Sequence, residues 1–212
     1  MIKKTIILFL FCLMVGTIMT VPAYATTIFT FQPTPSNMQN LPFGNYYLWE
    51  INWSLPSGQS ITAATLTFSN IYDAEDKPSD TLYIHLLNNP YPFTSVMTTI
   101  SSNLLVGSDP DNETTDQFNG YGLMIGDPSG IGSIPKNLVY NFSSSEITTL
   151  TSDAADGHFG FGIDPDCEYP NSGVTFTITT DPTSVPEPAS MFLLGSGLLG
   201  LAAYGRKKFF KK

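Results

Sequence analysis

The chain has 212 residues, of which 13% are charged and 13% aromatic, a mix that suits one folded domain of ordinary size and excludes a disordered body. The formal net charge of -9 conceals a segregation: Lys3 and Lys4 lie at one end, Arg206, Lys207, Lys208, Lys211 and Lys212 at the other, and only Lys77 and Lys136 between them. A body so rich in uncompensated carboxylates repels phosphate backbones, which excludes nucleic acid as a partner and favours solubility and cation attraction.

Residues 1–25 read as a signal peptide. Lys3 and Lys4 supply its positive start and Ile6 to Met14 its apolar stretch. Ala23 and Ala25 flank Tyr24 in the small-x-small pattern that signal peptidase cleaves, so the mature chain is expected to start at Thr26 and the secretion translocon to be a partner. Cys12 is discarded with this segment. Cys167 is then the only cysteine left, so no internal disulfide can support the fold. A small buried hydrophobe is the plain reading of Cys167, with an intermolecular bridge or a reactive thiol as alternatives.

The ectodomain, residues 26–178, alternates at period two. Tyr47, Trp49, Ile51, Trp53 and Leu55 share one face of a strand, and Tyr46, Leu48, Glu50, Asn52 and Ser54 the other. The turn residues Pro56 to Gln59 follow, then a second alternating run from Ile61 to Asn70, and the two runs read as a hairpin. Further strands are expected at Thr81–Leu87, Gly122–Ile125, Asn137–Phe142, His158–Ile163 and Gly173–Thr179. One short helix interrupts them: Ser143 and Glu146 have capping-box spacing, and Ile147, Leu150 and Ala154 recur at helical intervals before Gly157. Short strands divided by Gly, Pro, Asp and Asn predict an all-β fold, a single antiparallel β-sandwich or jelly-roll-like domain.

Oxygen ligands concentrate in Asp109, Asp111, Asn112, Glu113 and Asp116, the set that a hard calcium ion would accept as its cofactor site. Thr114 stands where an EF-hand requires glycine and Gly120 where it requires glutamate, so a calcium site on a sandwich loop and a solvated acidic loop are the two readings. Asp164, Asp166 and Glu168 form a second acidic cluster, and Asp73, Glu75, Asp76 and Asp80 a third. His85 and His158 have no second His or Cys at ligand spacing, which gives no zinc motif. Tyr46 and Glu50, on the polar face of the first strand, are the candidate glycan contacts, weighed against core packing of the neighbouring aromatics. No nucleophile elbow or phosphate-cradling glycine loop is present, so no residue is assigned as catalytic and the body is read as non-enzymatic.

The end of the chain is different in kind. Residues 179–188 form a linker that carries Pro186, Glu187 and Pro188; residues 189–205 are uncharged, about 25 Å long as a helix, and reach the short end of what crosses a bilayer. The basic residues Arg206, Lys207 and Lys208 head the tail 206–212 and would hold it in the cytoplasm, acting as a stop-transfer signal. The sandwich is thus expected to be flanked by a signal peptide and a C-terminal transmembrane helix, with its body outside the cytoplasm.

This triplet, span and basic end, in that order, resemble the PEP-CTERM sorting signal of exopolysaccharide-producing Gram-negative bacteria. The resemblance covers the last 28 residues, Val185 to Lys212. It implies recognition of Pro186, Glu187 and Pro188 by an exosortase, membrane attachment before processing, and delivery to the cell surface or extracellular matrix. It also implies a structural or binding role associated with exopolysaccharide. Such tails accompany many unrelated domains, so a calcium-dependent carbohydrate-binding module and a matrix polysaccharide hydrolase stand as the other expectations for the body.

Overall fold

Alternating apolar side chains need two faces to bury them against, and the fold supplies these as two sheets. The computed structural model describes residues 25–88, 97–109, 115–126, 128–183 and 194–199. In chain order the strands are β1 (Thr27–Phe31), β2 (Asn45–Asn52), β3 (Gln59–Ile71), β4 (Leu82–Leu87), β5 (Thr98–Ser101), β6 (Leu104–Ser108), β7 (Leu123–Gly126), β8 (Lys136–Asn141), β9 (His158–Pro165) and β10 (Gly173–Pro182). One helix, α1 (Ser144–Asp153), lies between β8 and β9. The four-stranded sheet has the order β1-β10-β3-β8 and the six-stranded sheet the order β5-β6-β2-β9-β4-β7. Every pairing is antiparallel. With the edge hairpin β5–β6 set aside, the remaining strands follow jelly-roll order, the double-sheet solution that antiparallel chains use to cover their inner faces.

Aromatic rings join the sheets. Phe176 of β10 meets Phe161 of β9 at 4.8 Å between ring centroids and Phe159 at 6.2 Å, both edge-on. On its own side it touches Phe31 of β1 at 6.2 Å, and Phe142, just beyond β8, at 5.6 Å. Edge-to-face contacts of this kind add to the stabilisation from burial alone. Phe176→Ala should therefore cost about 3–5 kcal/mol, read as a lowered urea midpoint with an unchanged slope. A cost under about 1 kcal/mol would mean that the two sheets are not joined through this ring.

Several expectations from periodicity hold. Tyr47, Trp49 and Ile51 enter the core, as do Leu82, Ile84 and Leu86. The capping box forms: the Ser143 hydroxyl accepts from the Glu146 N–H, and the Glu146 carboxylate accepts from the Ser143 N–H. Leu150 and Ala154 face the core, and Gly157 ends the short 3-10 turn Ala154–Asp156 at φ 89°, where a side chain would be strained.

Others need correction. The runs 46–55 and 61–70 do not make a hairpin, because β2 lies in the six-stranded sheet and β3 in the four-stranded one. Residues 53–58 cross between the layers while Trp53 packs inward on Phe29 of β1 at 5.1 Å. Turn residues permit a change of direction, but burial decides whether the next strand pairs beside the last or opposite it. Nor is the outer face of β2 polar along its length. Tyr46 and Leu48 are buried there in a second cluster with Leu87 and Phe118.

Glycines make room for that cover. A Cβ built at Gly107 would fall 2.1 Å from Cζ of Tyr46, and one at Gly162 would fall 2.6 Å from Cδ1 of Phe118. The rings thus lie almost on the backbone of β6 and β9. Gly162→Ala should destabilise by about 1–3 kcal/mol through overpacking against a ring that cannot bend away. Thermal unfolding measures it, and an unchanged midpoint would show that Phe118 is free to lift off the sheet.

The chain divides into two units, Met1–Pro182 and Thr183–Lys212. In the second, residues 194–199 are helical. Among the described residues no helix is long and apolar enough to cross a membrane, and the rest of the expected span 189–205 lies outside them. So do residues 1–24 of the expected signal peptide, including Ala23, whereas Ala25 is described and exposed.

Candidate functional site

Antiparallel register gathers the acidic clusters at one end of the six-stranded sheet. Pro165, closing β9, pairs with Leu82, opening β4, and Ser108, closing β6, pairs with Asn45, opening β2. Asp109 follows β6, Asp164 and Asp166 sit at the end of β9, and residues 73–80 lead into β4. The Asp166 N–H donates to the Thr81 carbonyl and the Ala74 N–H to the Glu168 carbonyl, tying the second acidic cluster to the third.

Asp164 is fully buried, and its Oδ2 accepts the Gln117 N–H at 2.8 Å while Oδ1 has no hydrogen-bond partner. Burial first, then the nearby carboxylates of Asp109, Asp116 and Asp166, push its proton affinity up to about 7. Asp109 and Asp116, from the loop expected to hold calcium, use their oxygens locally. Asp109 Oδ1 accepts from the Gln117 side-chain amide at 2.8 Å. Asp116 Oδ1 accepts the Phe118 N–H at 2.9 Å and Oδ2 pairs with Nε2 of buried His85 at 2.8 Å. Asp111, Asn112 and Glu113 lie outside the described residues. Asp116 thus helps to hold Phe118 over the sheet, a role that spacing alone did not suggest.

A second group is deeper. One ligand atom each from Asp73, Asp80 and Cys167 lies within 4.8 Å of the others. Asp73 is fully buried and rigidly held: Oδ1 accepts the N–H groups of Glu75 at 2.8 Å and Asp76 at 2.9 Å, and Oδ2 that of Lys77 at 3.1 Å. The Cys167 thiol donates to Asp73 Oδ1 at 3.1 Å. Burial, with the Asp73 carboxylate beside it, drives the thiol's proton affinity well above the ordinary range. Asp80 is 9% exposed and its Oδ2 has no hydrogen-bond partner; the same holds for the hydroxyl of fully buried Tyr169. Asp80 also lines a pocket of about 330 Å³, together with Phe43, Lys77, Tyr83 and Asp166. Nothing in local spacing reveals this group, since Asp73 and Cys167 are 94 residues apart.

Tyr46 and Glu50 do not make an open platform. Tyr46 is 9% exposed and meets Phe118 edge-on at 5.7 Å, so its ring face is covered. Expecting Tyr46 on a polar face is corrected by the segment packed over it, which the alternation of β2 could not show. Glu50 stays half-buried, paired in register with Gly160, and burial raises its proton affinity while nearby His158 lowers it.

The sorting residues Pro186, Glu187 and Pro188 and the basic Arg206, Lys207 and Lys208 lie outside the described residues. Comparison with family descriptions reaches them: residues 184–208 match the PEP-CTERM protein-sorting motif. The chain carries a PEP-CTERM sorting signal. Such a signal marks an exosortase substrate, an exported protein sorted at the membrane. The match starts two residues after Pro182, where β10 and the β-rich unit end. No curated protein matches the chain.

Proposed function

We propose that this PEP-CTERM protein is delivered by an exosortase to the cell surface or extracellular matrix. There its jelly roll acts as a non-catalytic structural or binding element associated with exopolysaccharide. The observation that carries the reading is the sorting-motif match at residues 184–208, directly after a β-rich unit. The body itself supports a passive role. Asp73 and Asp116, the carboxylates bonded to Cys167 and His85, also accept backbone N–H groups of their own loops, the pattern of loop-holding side chains. The rings of Phe176, Phe161, Tyr46 and Phe118 join and cover the sheets.

The test is sedimentation of the mature protein with exopolysaccharide from the producing cells. Recovery in the polysaccharide pellet, and in the supernatant when polysaccharide is omitted, is expected. Recovery in the supernatant in both cases contradicts the association, and depolymerisation of the polysaccharide by the protein contradicts the non-catalytic reading.

A further inference from the structure

We propose that Asp73, Asp80 and Cys167 bind a single divalent cation of the zinc class, a site independent of how the protein is sorted. The three ligand atoms already lie within 4.8 Å of one another and come from the β3–β4 loop and the segment after β9. A hydrogen bond from the Cys167 thiol to Asp73, and the loop N–H groups on that carboxylate, account for two of the three side chains. They leave Asp80 Oδ2 and the Tyr169 hydroxyl, both in well-buried residues, without partners.

One ion settles both. It takes Asp80 Oδ2 as a ligand and displaces the thiol proton to solvent, leaving a thiolate on the metal. A thiol is a weak acceptor but a thiolate a strong one, so the Tyr169 hydroxyl beside it gains a partner. The donor set of one sulfur and two carboxylates selects among ions: hard calcium and magnesium avoid sulfur, while zinc and cobalt accept both. The N–H groups that hold Asp73 fix a ligating carboxylate in the way that metal sites require. Of the three ligands, Asp80 also lines a surface pocket.

The experiment uses the full-length chain, stripped with chelator under reducing conditions and titrated with Co²⁺. The expected result is a near-ultraviolet thiolate-to-cobalt charge-transfer band saturating at one equivalent and displaced by Zn²⁺. Cys167→Ser should abolish the band, and Asp80→Asn, nearly identical in shape, should weaken binding about 100-fold. Absence of the band from a folded wild-type chain overturns the proposal and leaves a buried water as the filler of this space. A band that persists in Cys167→Ser overturns it by placing the metal elsewhere. If Cys167→Ser does not fold, Asp80→Asn decides: unchanged affinity for Co²⁺ overturns the proposal, and weakened affinity supports it.

Discussion

Asp164→Asn should stabilise the domain at pH 8 by about 2 kcal/mol and give no gain at pH 5. Asp164 is fully buried, one of its oxygens has no partner, and burial beside Asp109, Asp116 and Asp166 raises its proton affinity from near 3.8 to about 7. Between those two values the unfolded chain has lost this proton and the folded chain still holds it. Folding then takes up a proton, so stability is greatest below the lower value, falls as pH rises and has lost its full increment once pH passes about 7. The full increment is about 4 kcal/mol at most. Asparagine keeps an oxygen for the Gln117 N–H and carries no charge, though its unpaired amide costs about 1–2 kcal/mol at either pH. Urea unfolding at the two pH values measures the difference. A variant less stable than wild type at pH 8 would show that the Asp164 charge is compensated where it sits.

Replacing Pro186, Glu187 and Pro188 together by alanine should abolish release of the protein from the membrane fraction while leaving the fold intact. Two prolines fix the backbone and withdraw N–H donors, which keeps the segment extended and out of any helix or sheet. Alanine favours helix and would let the triplet join the span that follows. The last strand of the jelly roll ends at Pro182, ahead of the triplet in the chain, so the domain's unfolding temperature should not move. Fractionation of cells with detection of the domain measures both effects. Undiminished release of the alanine variant would contradict the role of the triplet.

Much of the fold was legible because period two is a local signal. The inner faces of β2 and β4 and the capped start of α1 followed from side chains a few residues apart. What escaped depends on distant segments. β1, β5 and β6 are short and offer few alternating positions, although Phe29 and Phe31 sit two apart on a face that packs on Trp53. The crossing of β2 and β3 between sheets escaped because Pro56 and Gly58 suit a tight hairpin and a layer-crossing loop equally. The covered outer face did leave a trace: Gly160 and Gly162 alternate with Phe159 and Phe161, so one side of β9 is bare backbone that something must approach. That pattern read as a strand when it also announced the seat of Phe118.

The sites divide in the same way. The sorting signal is contiguous, so order and spacing revealed it, and the match at residues 184–208 agrees. The three acidic clusters were visible as composition, but their convergence comes from antiparallel register. Cys167 was expected to be a small buried hydrophobe, and it is buried; its position against Asp73 and near Asp80 needed the fold.

The most direct measurement is the intact mass of the mature protein recovered from its native cells, since one spectrum reports both ends. A chain that starts at Thr26 and ends near Pro188 is the predicted result, the product of signal-peptide removal and exosortase processing. A mass that retains everything through Lys212 would contradict it and make the protein a permanent resident of the membrane.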